Sequence, residues 1–193
     1  MTRSPTSRQM AFASWLVKLG ADEKQRGVLA ALRRGLTLEE EYLYELYGYV
    51  PPSFLAVLSP EEEKTYLMVA ALFAHHPVCF SEQELGVRRR DFGESLSLLA
   101  LAKQVKAGTE EDPLPDSLKR RVEALLASPR DELFGHLRQL ISLLKSEEIP
   151  VDWAQLLRDL RDWEWPNRPV QWDWSRSFYI GPQVKKGEET HVS

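Results

Sequence analysis

Apolar residues return along this chain at helical rather than strand spacing. From Thr6 or Ser7 onward, Phe12, Trp15, Leu16 and Leu19 fall on one helical face, and Gly20 supplies a stop. A second helix is predicted over residues 22–34, with Leu29, Leu32 and Leu36 apolar and Gly35 ending it. Only Ala21-Asp22 separates the two, so they are expected to pair antiparallel. Ser59-Pro60-Glu61-Glu62-Glu63 is a strong start signal. Serine caps, proline fits the first helical position, and carboxylates complement the dipole. The helix behind it runs through Leu67, Ala70, Ala71 and Phe73 to His75-His76 and stops at Pro77. It is apolar nearly all round, which predicts a central buried position.

The same device recurs at Ser128-Pro129-Arg130-Asp131-Glu132, ahead of a stripe of Leu133, Leu137, Leu140 and Leu144. Further helices are predicted over residues 92–106, 116–127 and 152–163, the last carrying Trp153, Leu156, Leu157 and Leu160 on one face. Val78-Cys79-Phe80 is the only β-like run. The expectation is all-α, a bundle of about seven to nine helices in two packed sub-bundles. The segment AGTEEDPLP, residues 107–115, reads as a linker. It divides an N-terminal bundle (1–108) from a C-terminal one (115–180), with a flexible tail over 181–193.

Composition narrows the class. In 193 residues, 43% are apolar and 28% charged, which fits a globular chain and not a disordered one. One cysteine, Cys79, excludes a disulfide framework. The N-terminus is polar and no apolar run approaches the roughly 18 residues of a membrane span. The expectation is a cytoplasmic protein without a membrane partner.

Catalytic constellations are thin. His75-His76 close a helix, where a partial positive charge suits the carbonyl end. No HxxxH or paired CxxC accompanies them, so no metal is expected. Cys79 reads as a small buried apolar residue. Asp152 sits where an N-cap belongs, and Asp159 and Asp162 share a polar face with Arg158 and Arg161, which reads as solvated ion pairs. The glycines are scattered, leaving no phosphate loop. Neither an enzyme nor a cofactor is expected.

Charge placement says more than the net charge of −4. Residues 1–34 hold seven basic side chains against two acids, while residues 35–65 hold seven glutamates against Lys64 alone. Lys18 belongs to the basic segment, and Arg26 and Arg33, seven apart, share the helix face opposite Leu29 and Leu32. Arg34, Arg88-Arg89-Arg90 and Lys119-Arg120-Arg121 add clusters, and Arg138 and Lys145 are again seven apart. Such faces can form a groove that tracks a phosphate backbone. They equally fit solvated helix surfaces with each arginine paired to a neighbouring acid. Five of the six tryptophans lie within residues 153–174. They read as a clamp for the last helix rather than a base-stacking platform, with Trp165 expected to be exposed. Tyr42, Tyr44, Tyr47 and Tyr49 offer a protein-contact surface.

An ordered set of blocks then points to a family. It starts around Trp15-Leu16, followed by Ala30-Ala31-Leu32-Arg33-Arg34, Ala70-Ala71-Leu72-Phe73-Ala74-His75-His76-Pro77 and Asp91-Phe92-Gly93-Glu94-Ser95-Leu96. Lys119-Arg120-Arg121-Val122 and His136-Leu137-Arg138 come next. The most distinctive block is Val151-Asp152-Trp153-Ala154-Gln155-Leu156-Leu157-Arg158-Asp159-Leu160 with Trp163, closed by Trp172 and Phe178-Tyr179. In these the chain resembles the CasB family, the small subunit of the type I-E CRISPR Cascade surveillance complex.

The resemblance implies a non-catalytic helical subunit, present as two copies and packed against the repeated backbone subunit and the large subunit. Its partners would be guide RNA and target DNA, bound without regard to sequence. It would support the guide–target duplex and hold the displaced strand. The basic groove residues it implies are Arg33, Arg34, Arg120, Arg121 and Arg138, to which helix-face reasoning adds Lys18 and Arg26. The alternatives are a purely structural adaptor that never touches nucleic acid, or a small hydrolase using His75 or the C-terminal aspartates.

Overall fold

A computed structural model describes residues 4–37, 45–107 and 114–189, without the side chains of 107 and 182–189. Ten α-helices form among them: α1 (Ser7–Ala21), α2 (Arg26–Arg34), α3 (Pro52–Leu55), α4 (Pro60–His75), α5 (Glu82–Val87), α6 (Phe92–Ala107), α7 (Asp116–Ala127), α8 (Arg130–Ser146), α9 (Trp153–Arg161) and α10 (Pro169–Glu189). Short 3₁₀ turns at Glu23–Gln25 and Gly35–Thr37 bracket α2. The fold is all-α, as the periodicity predicts. The one β feature among the described residues is a parallel bridge between Cys79 and Val151, in the single run with strand character.

Local signals set most boundaries. Thr6 accepts the Gln9 N–H while the Gln9 side chain returns to the Thr6 N–H, a capping box that starts α1. Ser59 and Glu62 do the same for α4. At α8 the serine behaves differently from the sequence expectation. Pro129 occupies the cap with no side-chain bond, and Ser128 Oγ instead donates to the Leu125 carbonyl, closing α7. Three elements went unpredicted although a signal exists, the first being α3 with Pro52 at its start. Ser81 and Glu84 form a capping box for α5, and Pro169 stands at the start of α10, a helix whose aromatics read only as a clamp.

As expected, α4 lies at the centre, with Val69 to Ala74 continuously buried and α1, α2, α8 and α9 packed around it. The core is continuous from Phe12 of α1 to Phe178 of α10. The most extensive pairing joins α6 to α10. Gly93 makes it possible, because a Cβ there would collide with the Trp174 carbonyl. Trp153, Trp163 and Trp174 are almost fully buried, whereas Trp172 is 73% exposed. Two residues apart on a helix means roughly opposite faces, so Trp174 anchors α10 and Trp172 does not clamp it. Trp165 is 40% exposed, so the larger surface tryptophan is Trp172.

Candidate nucleic-acid interface

Arginine partners divide the basic residues into two kinds. In the first, carboxylates wait for them. Arg88 holds Glu94 through two bonds of 2.5 and 2.7 Å, and Arg90 meets the same carboxylate at 3.0 Å while lying over the Phe80 ring. Burial pushes the Glu94 carboxyl up, but the two guanidinium groups outweigh it and hold its pKa below the usual range. Arg89 pairs with Asp152, the N-cap of α9, whose other oxygen accepts the Arg90 N–H at 3.2 Å. This loop takes the bland reading: its arginines are paired to acids.

Of the arginines that meet backbone carbonyls, Arg130 and Arg168 hold those of Leu160 and Leu126, while Arg33 and Arg138 gather where α2, α4 and α8 meet. Arg33, on the last turn of α2, donates through Nε and Nη2 to the Ala74 carbonyl at 3.1 and 2.9 Å. Arg138 of α8 donates to the Leu36 carbonyl at 2.7 Å. Ser142 and Lys145 follow Arg138 on the same face of α8, four and seven residues on. The ring of His75 lies 3.1 Å from Ser142. Backbone carbonyls leave both guanidinium charges uncompensated, and among the described residues no carboxylate pairs with Arg33, Arg138 or Lys145.

This arrangement corrects the reading of the His75-His76 pair. Burial holds both imidazoles below the ordinary histidine pKa; nearby cations add to the effect at His75, while at His76 burial prevails over the Ile149 carbonyl, which favours the proton. His76 is fully buried against the Ile149 carbonyl at 2.6 Å. The cation at the carbonyl end of α4 is therefore Arg33.

The remaining candidates lie further out. Arg34 is exposed and pairs with Glu45 at 3.3 Å. Arg120 is exposed, and Arg121, also exposed, donates to Gln139 of α8 at 3.2 Å. Lys18 lines a shallow cleft with Trp15, Asp22 and Tyr49, and exposed Arg26 pairs with Glu23 at 3.0 Å. Arg26 stands at the opposite end of α2 from Arg33, roughly 10 Å along the axis, and Lys18 lies on α1. Tyr42 and Tyr44 lie outside the described residues; Tyr47 donates to Glu63 at 2.6 Å, and Tyr49 is partly exposed. Sequence reasoning placed His75 as a helix end or a hydrolase residue, and Lys145 only as a partner of Arg138. The three-residue and four-residue steps from Arg138 to Ser142 and Lys145 were the available signal.

Burial pushes the Cys79 thiol up to about 11, as suits a packed apolar side chain. Asp159 is a correction to the expected solvated aspartate. It is 2% exposed and accepts from Gln155 Nε2 at 2.8 Å and Trp174 Nε1 at 2.7 Å. Burial pushes its carboxyl up to about 8, against those two donors. Arg158 and Asp162 pair at 2.9 Å, and they too are buried rather than solvated. Among the described residues no three His, Cys, Asp or Glu side chains form a metal-binding group, and no helix is long and apolar enough to cross a membrane.

A family model described as CRISPR-associated protein Cse2 matches residues 28–179. The chain belongs to the Cse2 family. The CRISPR-associated protein Cse2 of Thermus thermophilus is 31% identical over 170 residues, covering 87% of this chain and 88% of that one. The crystal structure of M. ruber CasB superposes with a TM-score of 0.70 at 32% identity, covering 97% of this chain and 99% of that one. A chain of a CRISPR RNA-guided surveillance complex, pre-nicking, gives a TM-score of 0.71 at 26% identity, covering 94% and 97%. The resemblance to the CasB family is thus borne out. The Cse2 match includes Arg33, Arg34, Arg120, Arg121, Arg138, His75 and Lys145, and leaves Lys18 and Arg26 outside it.

Proposed function

We propose that this Cse2-family chain is a non-catalytic small subunit of a type I-E CRISPR surveillance complex. Its basic surface holds the displaced DNA strand and supports the guide RNA–target duplex. One observation carries the reading: Arg33, Arg138 and Lys145 converge from two helices around the end of a third, with no described carboxylate pairing with them. Guanidinium and ammonium groups held in this way bind phosphates through charge and are indifferent to base sequence. Arg120 and Arg121 on α7 and Arg34 on α2 extend the surface, and Lys18 and Arg26 form its far end. The partners are guide RNA, target DNA, the repeated backbone subunit, the large subunit and a second copy of this chain.

The test replaces Arg33, Arg34, Arg120 and Arg121 together with alanine in the assembled complex. Protection of the displaced strand falls, and the log–log salt slope of binding flattens by about 0.7–0.9 per lost contact. Unchanged protection defeats the groove assignment and favours a second reading, a purely structural adaptor. The exposure of Trp172 supports that second reading, since tryptophan is favoured at protein contacts.

A further inference from the structure

The basic cluster contains a titratable group at its centre. His75 is half-buried at the end of α4, with Nε2 3.1 Å from Ser142 Oγ. Ser142 donates its own hydroxyl hydrogen to the Arg138 carbonyl at 2.8 Å. The Ser142 oxygen is therefore the acceptor, and the neutral ring carries its hydrogen on Nε2. Nδ1 is left as the basic nitrogen. Protonation there adds a donor and a charge while the contact with Ser142 stays intact.

Among the described residues, each ionisable group that acts on this ring opposes that proton. Lys145 and Arg138 come from α8, Arg33 from α2 and His76 from its own helix. With burial acting first and these cations after it, the free chain keeps His75 neutral near pH 7. A phosphate among the same cations reverses the balance. It offsets their charge, supplies an acceptor, and makes the imidazolium the favoured form.

We infer that His75 takes up a proton when a phosphodiester backbone occupies the Arg33–Arg138–Lys145 cluster, so that nucleic-acid binding by this chain is coupled to pH. The inference rests on the nucleic-acid reading proposed above and adds a ligand and a regulatory variable to it. By linkage, whatever binding does to the proton affinity of His75, the proton does to binding. Affinity for a polyanion therefore rises as pH falls, by at most about tenfold per pH unit for one coupled proton.

The experiment uses the full chain and a fluorescent oligothymidylate at constant ionic strength, from about pH 8 to pH 5.5. The chain itself, His75→Gln and the double variant Arg33→Ala/Arg138→Ala are compared. Glutamine can still donate to Ser142 but does not titrate. The expected result is tightening at low pH in the unaltered chain, lost in His75→Gln. The NMR midpoint of the His75 ring, followed in the unaltered chain, moves upward when the oligonucleotide is added. That readout stands even if a variant folds poorly.

Parallel pH profiles for the unaltered chain and His75→Gln, or an unmoved ring midpoint, overturn the proton coupling. If the double arginine variant is weakened in that case, the nucleic-acid reading survives. A double variant that binds as well as the unaltered chain at every pH, or no binding at low salt, defeats both.

Discussion

Two arginine-rich regions of this chain look alike in sequence and differ in what they hold. The loop Arg88-Arg89-Arg90 is one of two runs of three consecutive basic residues, yet its three guanidinium groups meet Glu94 and Asp152. Arg33 and Arg138 are separated by more than half the chain, and each meets a backbone carbonyl. A carboxylate cancels the charge of an arginine, while a carbonyl only orients it. The denser run is therefore a structural clasp on α6 and α9, and the scattered pair keeps the field that an anion would feel. Density of basic residues is a poor guide to phosphate binding; the chemistry of the partner decides.

The contrast can be broken most forcefully at Arg89. Arg89→Ala leaves the Asp152 carboxylate buried with backbone donors alone. The expected loss is about 3 kcal/mol of unfolding free energy by urea titration, the low end for a severed buried pair because Arg89 is partly solvated. A loss below about 0.5 kcal/mol would reduce the clasp to an ordinary surface pair.

The same region has a pH signature. Asp159 titrates near 8 and Asp91 near 6 in the folded chain, both raised first by burial. The folded state holds these protons more tightly than the unfolded state does, so the associated stability is full below the ordinary carboxylate range. It is lost as pH rises, through about 6 for Asp91 and about 8 for Asp159. Unfolding midpoints measured across this range should fall with rising pH, and Asp159→Asn should flatten the upper part of the curve. A stability that rises from pH 6 to 8 is the contrary outcome.

The smallest expected effect is at Arg88. Arg88→Ala removes one half-exposed partner while Arg90 continues to hold Glu94. Stability should change by less than about 1 kcal/mol. The salt slope of nucleic-acid binding should stay where it is, unlike that of the double Arg33/Arg138 variant. A flattened slope would move the clasp into the binding surface and erase the distinction between the two regions.

Much of this was legible one residue at a time. Serine or threonine caps, prolines at first helical positions and leucine stripes located α1, α4, α7, α8 and α9 closely, because helix initiation is decided within one turn. The limits of such signals show at Ser128, where the same Ser-Pro pair serves the helix before it and not the one after. They show again at α10, where Trp172 and Trp174 belong to one aromatic block but end up on opposite sides of a helix.

By itself, then, the sequence determined an all-α chain, the positions of most helices and its family, since periodicity, caps and ordered motif blocks are properties of neighbouring residues. Tertiary structure alone decided which arginines are spent on carboxylates, that Asp159 is buried against Trp174, and that His75 stands among cations from two other helices. Some of those partners are near in sequence, as Arg90 and Glu94 are, but Arg89 and Asp152 lie 63 residues apart, and burial and electrostatics depend on distances in space that local spacing does not encode.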